Sequence, residues 1–214
     1  MRVKRTQGRF LVDVDFTGAS SGVTALYGPS GAGKSSVIGM IAGLARPDSG
    51  RIAIGDRALF DSGRGIDLPP EKRRVGCVFQ DGRLFPHLSV RSNLTYGMKL
   101  ISPAERKIPL DQVIDLLGIG HLLDRNPKHL SGGEKQRAAI GRALLISPSA
   151  LLMDEPLASL DPARKDELIP YIACVGREFS IPVLYVSHSL QEIRRLTDRI
   201  VFLRDGRVEQ VAEC

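Results

Sequence analysis

The chain of 214 residues contains no tryptophan, and aromatic residues make up only 5% of it. Cysteine is scarce too: Cys77, Cys174 and Cys214 are the only three. They lie far apart, show no C-x-x-C spacing and are odd in number, which argues against a zinc ribbon and against a disulfide framework. All three are expected to be structural or incidental. Long apolar runs are missing as well. The longest, around Val37–Ala45 and Leu168–Val175, are broken by Gly, Pro or Tyr and fall short of the roughly 18–20 residues of a membrane span. The basic start "MRVKR" continues as "TQGRF", without the apolar stretch of a signal peptide. The expectation is a chain that stays in the cytoplasm unless a partner holds it at a membrane.

What is present is ordinary for a folded protein: 43% hydrophobic and 25% charged residues, enough for a real core. The length suits one large domain, or one domain with an insertion. The net charge of +6 invites a nucleic-acid reading. Against it, aromatics are few and the longest basic block is "EKRR", Glu71–Arg74, which reads as a solvated face. A basic surface also suits an anionic membrane leaflet. Nucleic acid is therefore not an expected partner.

Short β-like runs recur along the chain. "FLVDVDF" alternates apolar and polar residues; "GVTALYG", "RIAIG", "RRVGCVF", "ALLMDE" and "PVLYVSH" are compact and apolar. In "RIVFLRDGRVEQV" the pair Asp205-Gly206 predicts a hairpin turn. Helical patterns lie between them: "KSSVIGMIAGL", "ERKIPLDQVIDLLGIGHLL", "GEKQRAAIGRALLI", "ARKDELIPYIACVGREF" and "SLQEIRRLTDR". Apolar strands interleaved with helices predict an α/β fold with a parallel sheet covered on both faces. The alternating N-terminal strands predict a smaller antiparallel sheet. Strand signals vanish from about 83 to 145, which predicts a helical insertion. No repeat, low-complexity segment or flexible linker separates these parts, so they are expected to pack as one body.

Chemistry concentrates in a few places. Gly28-x-x-x-x-Gly33-Lys34-Ser35 follows an apolar strand and opens a helix, the context a phosphate-binding loop requires. Its glycines let backbone N–H groups converge on phosphate oxygens, and the helix N-terminus adds positive potential. Lys34 can neutralise the β- and γ-phosphates and the Ser35 hydroxyl can ligate Mg²⁺. In "ALLMDEP" two carboxylates close an apolar strand, where they are costly without a cation or a cleft. Asp154 would hold Mg²⁺ and Glu155 could take a proton from an attacking water. Gln80 and His188 also end apolar strands. Singly, each is as well explained as a satisfied polar group. Together, all four positions fall at the carboxyl ends of core strands, the edge where a parallel sheet binds ligands. Gln80 could then touch Mg²⁺ or the water, and His188 the γ-phosphate. A second glycine-rich stretch, "LSGGEKQ", combines the capping-box pattern Ser131-x-x-Glu134 with Gly132 and Gly133 in the first helical turn. Those glycines cost helix stability, roughly 1 kcal/mol each, and leave N–H groups open to an anion.

"GPSGAGKSS", "VFQ", "LSGGEKQR", "LLMDEP", "SLD" and "SH" occur in the order found in ATP-binding cassette ATPases, and the chain resembles that family over essentially its whole length. The resemblance implies a P-loop NTPase (RecA-like) core over 1–214, a single nucleotide-binding domain with the helical subdomain inserted at about 83–145. It implies ATP and Mg²⁺ as cofactors. Gly28, Pro29, Ser30, Gly31, Ala32, Gly33, Lys34, Ser35 and Ser36 would hold ATP, and Ser35, Gln80 and Asp154 the metal. Catalysis would fall to Glu155, His188, Lys34 and Gln80.

In that family two such domains meet head to tail, so Ser131, Gly132 and Gly133 would cap the γ-phosphate bound by a partner protomer. Ser159, Leu160 and Asp161 resemble the loop that crosses this interface, and Pro162 suits a helix start. The segment "DGRLFPHLSVRSNL" after Gln80 would face two integral-membrane permease subunits. A periplasmic or extracellular solute-binding protein would act indirectly, and the chain would sit peripherally on the cytoplasmic side of the inner membrane. "EKRRVGCVFQDGRLFPHLSVRSNLTYG" and "LASLDPARKDELIPYI" are most similar to the ATPase subunits of molybdate importers. The alternatives are the ATPase of a sulfate, iron or sugar importer, or a soluble cassette protein acting on DNA or ribosomes. The last usually adds a coiled coil or a second cassette, and neither is seen. The resemblance departs at two points. The adenine-stacking aromatic is unassigned, with Phe10 or Arg5 in the right region. The small β-rich regulatory domain common in molybdate-importer ATPases is absent from these residues.

Overall fold

The computed structural model describes residues 1–213; Cys214 lies outside them. Chain order is β1 (Arg2–Gln7), β2 (Phe10–Asp15), β3 (Gly22–Tyr27), α1 (Lys34–Ala42), β4 (Ser49–Ile54), β5 (Arg57–Asp61), β6 (Ile66–Asp67), α2 (Pro70–Arg73), β7 (Val75–Phe79), α3 (Val90–Met98), α4 (Leu110–Leu117), α5 (Gly132–Leu144), β8 (Ala150–Asp154), α6 (Pro162–Glu178), β9 (Pro182–Ser187), α7 (Leu190–Arg194), β10 (Arg199–Arg204) and β11 (Arg207–Glu213).

Strands β10, β3, β9, β8 and β7 are consecutive parallel neighbours. Their side chains alternate between two cores. In β8, Leu151 and Met153 face a cluster with Leu94, Val113, Leu117, Ile140 and Ile172. Leu152 faces the other cluster, with Val37, Ile38, Met40 and Val201. Two buried faces explain why these strands are apolar throughout rather than alternating. The stretch from Gln80 to Ser149 holds only helices and turns, and its helices build the first of these cores.

Three expectations need correction. The antiparallel strands do not form a separate sheet. β2 pairs with β11 through Asp13 and Arg207, so one hydrogen-bonded order runs through all eleven strands. The long helix read at "ERKIPLDQVIDLLGIGHLL" is three pieces: a 3₁₀ turn at Pro103–Glu105, α4, and another 3₁₀ turn at Gly120–Leu122. Pro109 disfavours helix at the residue before it, and Gly118, left-handed at φ 59°, ends α4. The run "EKRR" is a solvated face only at Glu71 and Lys72. Arg73 is 1% exposed.

The Arg73 guanidinium donates to the carbonyls of Met40 at 2.6 Å and Ile41 at 3.0 Å, at the end of α1. It also donates to Leu68 O at 2.6 Å and pairs with Asp67 at 3.0 Å. The helix end leaves carbonyls without intrahelical partners, and Arg73 satisfies two of them. Gly43 makes room for it: a Cβ there would lie 2.6 Å from Arg73 Nε. Arg73→Met keeps the bulk but orphans these acceptors. At about 1–3 kcal/mol for buried unsatisfied groups, the loss expected in urea unfolding is about 3 kcal/mol. A change below about 1 kcal/mol would mean that water replaces the guanidinium.

The expected hairpin is present, with Asp205 at φ 47° and Gly206 at φ 77°. Its turn reaches back to the loop between β3 and α1. Asp13 N–H donates to Gly206 O at 2.7 Å and Gly206 N–H to Ala32 O at 3.1 Å. Only glycine fits there, because a Cβ at Gly206 would stand 2.0 Å from Leu11 O.

Candidate functional site

The parallel order β3-β9-β8-β7 brings the ends of four strands to one edge. The loop 28–33 leaves β3 there and enters α1. Gly28 packs so closely that a Cβ would fall 2.3 Å from Leu203 O, and Gly31 and Gly33 have φ of 81° and 99°. The loop path therefore depends on glycine at these positions. Lys34 is 5% exposed. Its Nζ donates to Gly28 O at 2.8 Å and Pro29 O at 2.9 Å and lies 3.5 Å from Glu155 Oε1. The ammonium is thus fixed at the centre of the loop and beside a carboxylate.

Ser35 Oγ donates to Asp154 Oδ1 at 3.3 Å. Burial pushes the Asp154 carboxyl up, the Ser35 hydrogen bond opposes this, and neighbouring Glu155 adds to the rise. A hydroxyl and a carboxylate side by side are the hard oxygen donors that Mg²⁺ takes. No cluster of three or more His, Cys, Asp or Glu suited to a metal occurs among the described residues. An ion here would accordingly complete its shell from phosphate oxygens and water, as Mg²⁺ does in nucleotide sites.

Glu155 follows β8 in the left-handed region, at φ 48°, a conformation that costs a non-glycine residue about 1–3 kcal/mol. Its N–H donates to Val186 O at 3.0 Å, and its Oε2 lies 3.1 Å from His188 Nδ1. Lys34 at the start of α1 and His188 just past β9 thus meet at Glu155, just past β8. A cleft of about 390 Å³ is lined by Ser35, Phe79, Gln80, Asp81, Arg83, Asp154, Glu155 and Ser159. A larger cleft of about 580 Å³ opens at the amino-terminal edge, and no acidic or basic side chain lines it. The chemistry therefore belongs to the smaller one.

Gln80 and Ser159 are in contact, with Ser159 Oγ donating to Gln80 O at 3.4 Å. Asp161 caps α6 by accepting from Arg164 N. Ser36 Oγ donates to Gln7 Oε1 at 3.1 Å, a partner not foreseen in the sequence. Phe10 abuts the loop: a Cβ on Gly33 would be 3.3 Å from its ring. Arg5 instead has a buried Nη1 without a partner.

Ser131, Gly132 and Gly133 do not line the cleft. The capping box is complete: Ser131 N–H donates to Glu134 Oε2 at 2.7 Å and Glu134 N–H to Ser131 Oγ at 3.3 Å. The backbone bond from Ser131 holds the Glu134 carboxyl below its ordinary range. Gly132 has a second reason to be glycine, because a Cβ would meet Leu160 Cδ2 at 2.7 Å. Arg83, which no motif marks, also lines the cleft. Its guanidinium stacks on Phe79, 4.0 Å from the ring centroid, at the rim of the cleft. Of the cysteines, Cys77 has its thiol pushed up to about 11, by burial first and then by Asp154. It carries little thiolate at neutral pH. Cys174 is half-buried and, like Cys77, free.

Known proteins resemble this chain over most of its length. The chain is 63% identical over 206 residues to "Molybdenum import ATP-binding protein ModC" of Rhodospirillum rubrum, a match covering 96% of this chain and 55% of that protein. The chain thus spans about half the length of the curated relatives it matches. The solved structure of cbiO1 from Clostridium perfringens, described as part of the ABC transporter complex cbiONQ, superposes with a TM-score of 0.81 at 26% identity, over 99% of this chain and 86% of that one. The ATP-binding cassette MJ0796, solved as a dimer in a post-hydrolysis state with ADP and Pi, gives 0.77 at 25% identity, over 99% and 95%. The core is therefore that of a P-loop NTPase. The model of the ABC transporter family matches residues 11–158. That span takes in the phosphate loop, the Ser131 helix and both strand-end carboxylates, and it makes this chain a member of the ABC transporter family.

Proposed function

We propose that this chain is the ATP-hydrolysing part of an importer for an oxyanion, molybdate. The meeting of Lys34 and His188 at Glu155, which itself lines the cleft beside Ser35, Gln80 and Asp154, carries the hydrolytic half of this reading. The ModC relatives, by their names, support the solute. The loop from Gly28 to Ser36 holds the triphosphate on backbone N–H groups, with Lys34 against the β- and γ-phosphates. Ser35, Asp154 and Gln80 hold Mg²⁺, which when bound supplies positive charge to the phosphate oxygens. Glu155 accepts the proton of the attacking water. His188 orients Glu155 and reaches the γ-phosphate.

The remaining residues of the reading act across a dimer. Ser131, Gly132 and Gly133 lie outside the cleft of their own protomer, so the reading assigns them to the nucleotide of a second copy. Ser159, Leu160 and Asp161 line that seam. The segment after Gln80 meets two membrane-embedded permease subunits, which places the chain peripherally at the cytoplasmic face of the membrane. A solute-binding protein on the far side acts only through those subunits. No helix among the described residues is long and apolar enough to cross a membrane, and the reading gives the solute's path to the permease subunits. Each copy is one nucleotide-binding domain over 1–214, with the helical insertion at about 83–145.

The test is copurification of the chain with the membrane subunits encoded beside it, followed by uptake assays in vesicles. ATP-dependent molybdate uptake that sulfate, iron or sugar does not compete away is the expected result. Uptake of one of those solutes in place of molybdate would reassign the importer.

A further inference from the structure

Among the described residues three charged side chains are buried: Lys34, Arg73 and Glu192. Lys34 belongs to the phosphate loop and Arg73 to the end of α1. Glu192, 8% exposed in α7, has no part in the mechanism above. Its Oε1 accepts from Lys165 Nζ at 2.8 Å, and its Oε2 accepts from Tyr185 OH at 3.0 Å and Ser187 Oγ at 3.1 Å. Its own N–H donates to Ser189 Oγ at 3.3 Å, and Ser189 N–H donates to Ser187 Oγ at 3.0 Å. Both neighbours of His188 are therefore tied to one buried glutamate, one through its side chain and one through its backbone.

His188 needs such support. Its side chain is 55% exposed, yet it meets Glu155 at 3.1 Å. An exposed ring is little restrained by packing, so its direction depends on the backbone that carries it. Burying a carboxylate is costly unless each oxygen is well bonded, and an apolar residue of the same volume is often no worse for stability. A carboxylate that gathers three donors here has its value in geometry. Burial, then Glu192, pushes the Tyr185 hydroxyl well above its usual range, so it remains a donor.

We propose that Glu192 is a positioning residue that sets the Ser187–Ser189 turn and thereby aims His188 at Glu155. The proposal rests on the ATPase reading for its effect on turnover, but not for its effect on the ring. The test is ¹⁵N-histidine NMR on the purified chain together with steady-state ATPase assays. The chain has four histidines, and His188→Gln assigns the relevant resonance.

In Glu192→Ala the His188 ring shifts are expected to move while those of His87, His121 and His129 stay in place. The kcat is expected to fall about tenfold, with KM for ATP within about twofold, the size of one misplaced catalytic contact. Glu192→Gln keeps an oxygen for Ser187 and is expected to restore the His188 signature. A folded Glu192→Ala chain with unchanged His188 shifts overturns the proposal. Should that variant not fold, Ser187→Ala carries the same test. It cuts the side-chain link to the turn and leaves the Glu192 carboxylate with Lys165 and Tyr185, and unchanged His188 shifts there overturn the proposal equally. Moved shifts with unaltered kcat would support the positioning role and remove His188 from hydrolysis.

Discussion

Replacing Glu155 by glutamine is expected to lower ATP turnover by about 10²–10⁴-fold, the usual contribution of a positioned general base. The variant keeps the size of the side chain and an oxygen that can meet His188. It loses the ability to accept a proton and the charge that lies 3.5 Å from Lys34. Nucleotide binding therefore survives, and the chain accumulates with ATP bound. If two copies share the triphosphate, sedimentation of the variant with Mg²⁺ and ATP shows a dimer that ADP does not support. Phosphate release within a few-fold of wild type would remove Glu155 from the proton-accepting role. A variant that binds ATP and stays monomeric at high concentration would instead overturn the two-copy site.

The second large effect is expected at Lys34. Lys34→Met retains most of the buried volume and removes the only ammonium at the centre of the loop. Each hydrogen bond to a charged group contributes about 1.5–3 kcal/mol, so affinity for ATP falls by about 10–150-fold. Calorimetry with the purified chain measures it directly. The carbonyls of Gly28 and Pro29 lose their donor at the same time, so a modest loss of stability accompanies the loss of affinity. A dissociation constant within about threefold of wild type would place the phosphates elsewhere.

Much of the cleft was legible in the sequence, for a simple reason. Backbone cradles and strand ends are local features. The glycines of the loop, the Lys34-Ser35 pair and the carboxylates closing β8 each announce themselves within a few residues. The apolar character of four strands then implied a common edge. What stayed hidden depends on partners far along the chain. Arg73 reads as part of a solvated basic run because its acceptors, Met40 and Ile41, lie more than thirty residues away. Glu192 sits in a polar-looking stretch, and its partner Lys165 is on α6.

In the sequence Gly132 shows only a cost to the helix and open N–H groups; its contact with Leu160 belongs to tertiary packing. The break of the expected helix at Pro109 and Gly118 was in principle readable from those two residues. The single bridge between Asp13 and Arg207, which merges the two kinds of sheet, was not. One register pair leaves no periodic trace.

The Arg73 clamp has a mechanical consequence. It bolts the far end of the nucleotide helix to the short turn that launches β7, only a few residues before Gln80. The floor beneath the nucleotide and the strand delivering Gln80 therefore travel as one rigid strut. The first residue free of this coupling is Gln80 itself, where the backbone leaves the sheet.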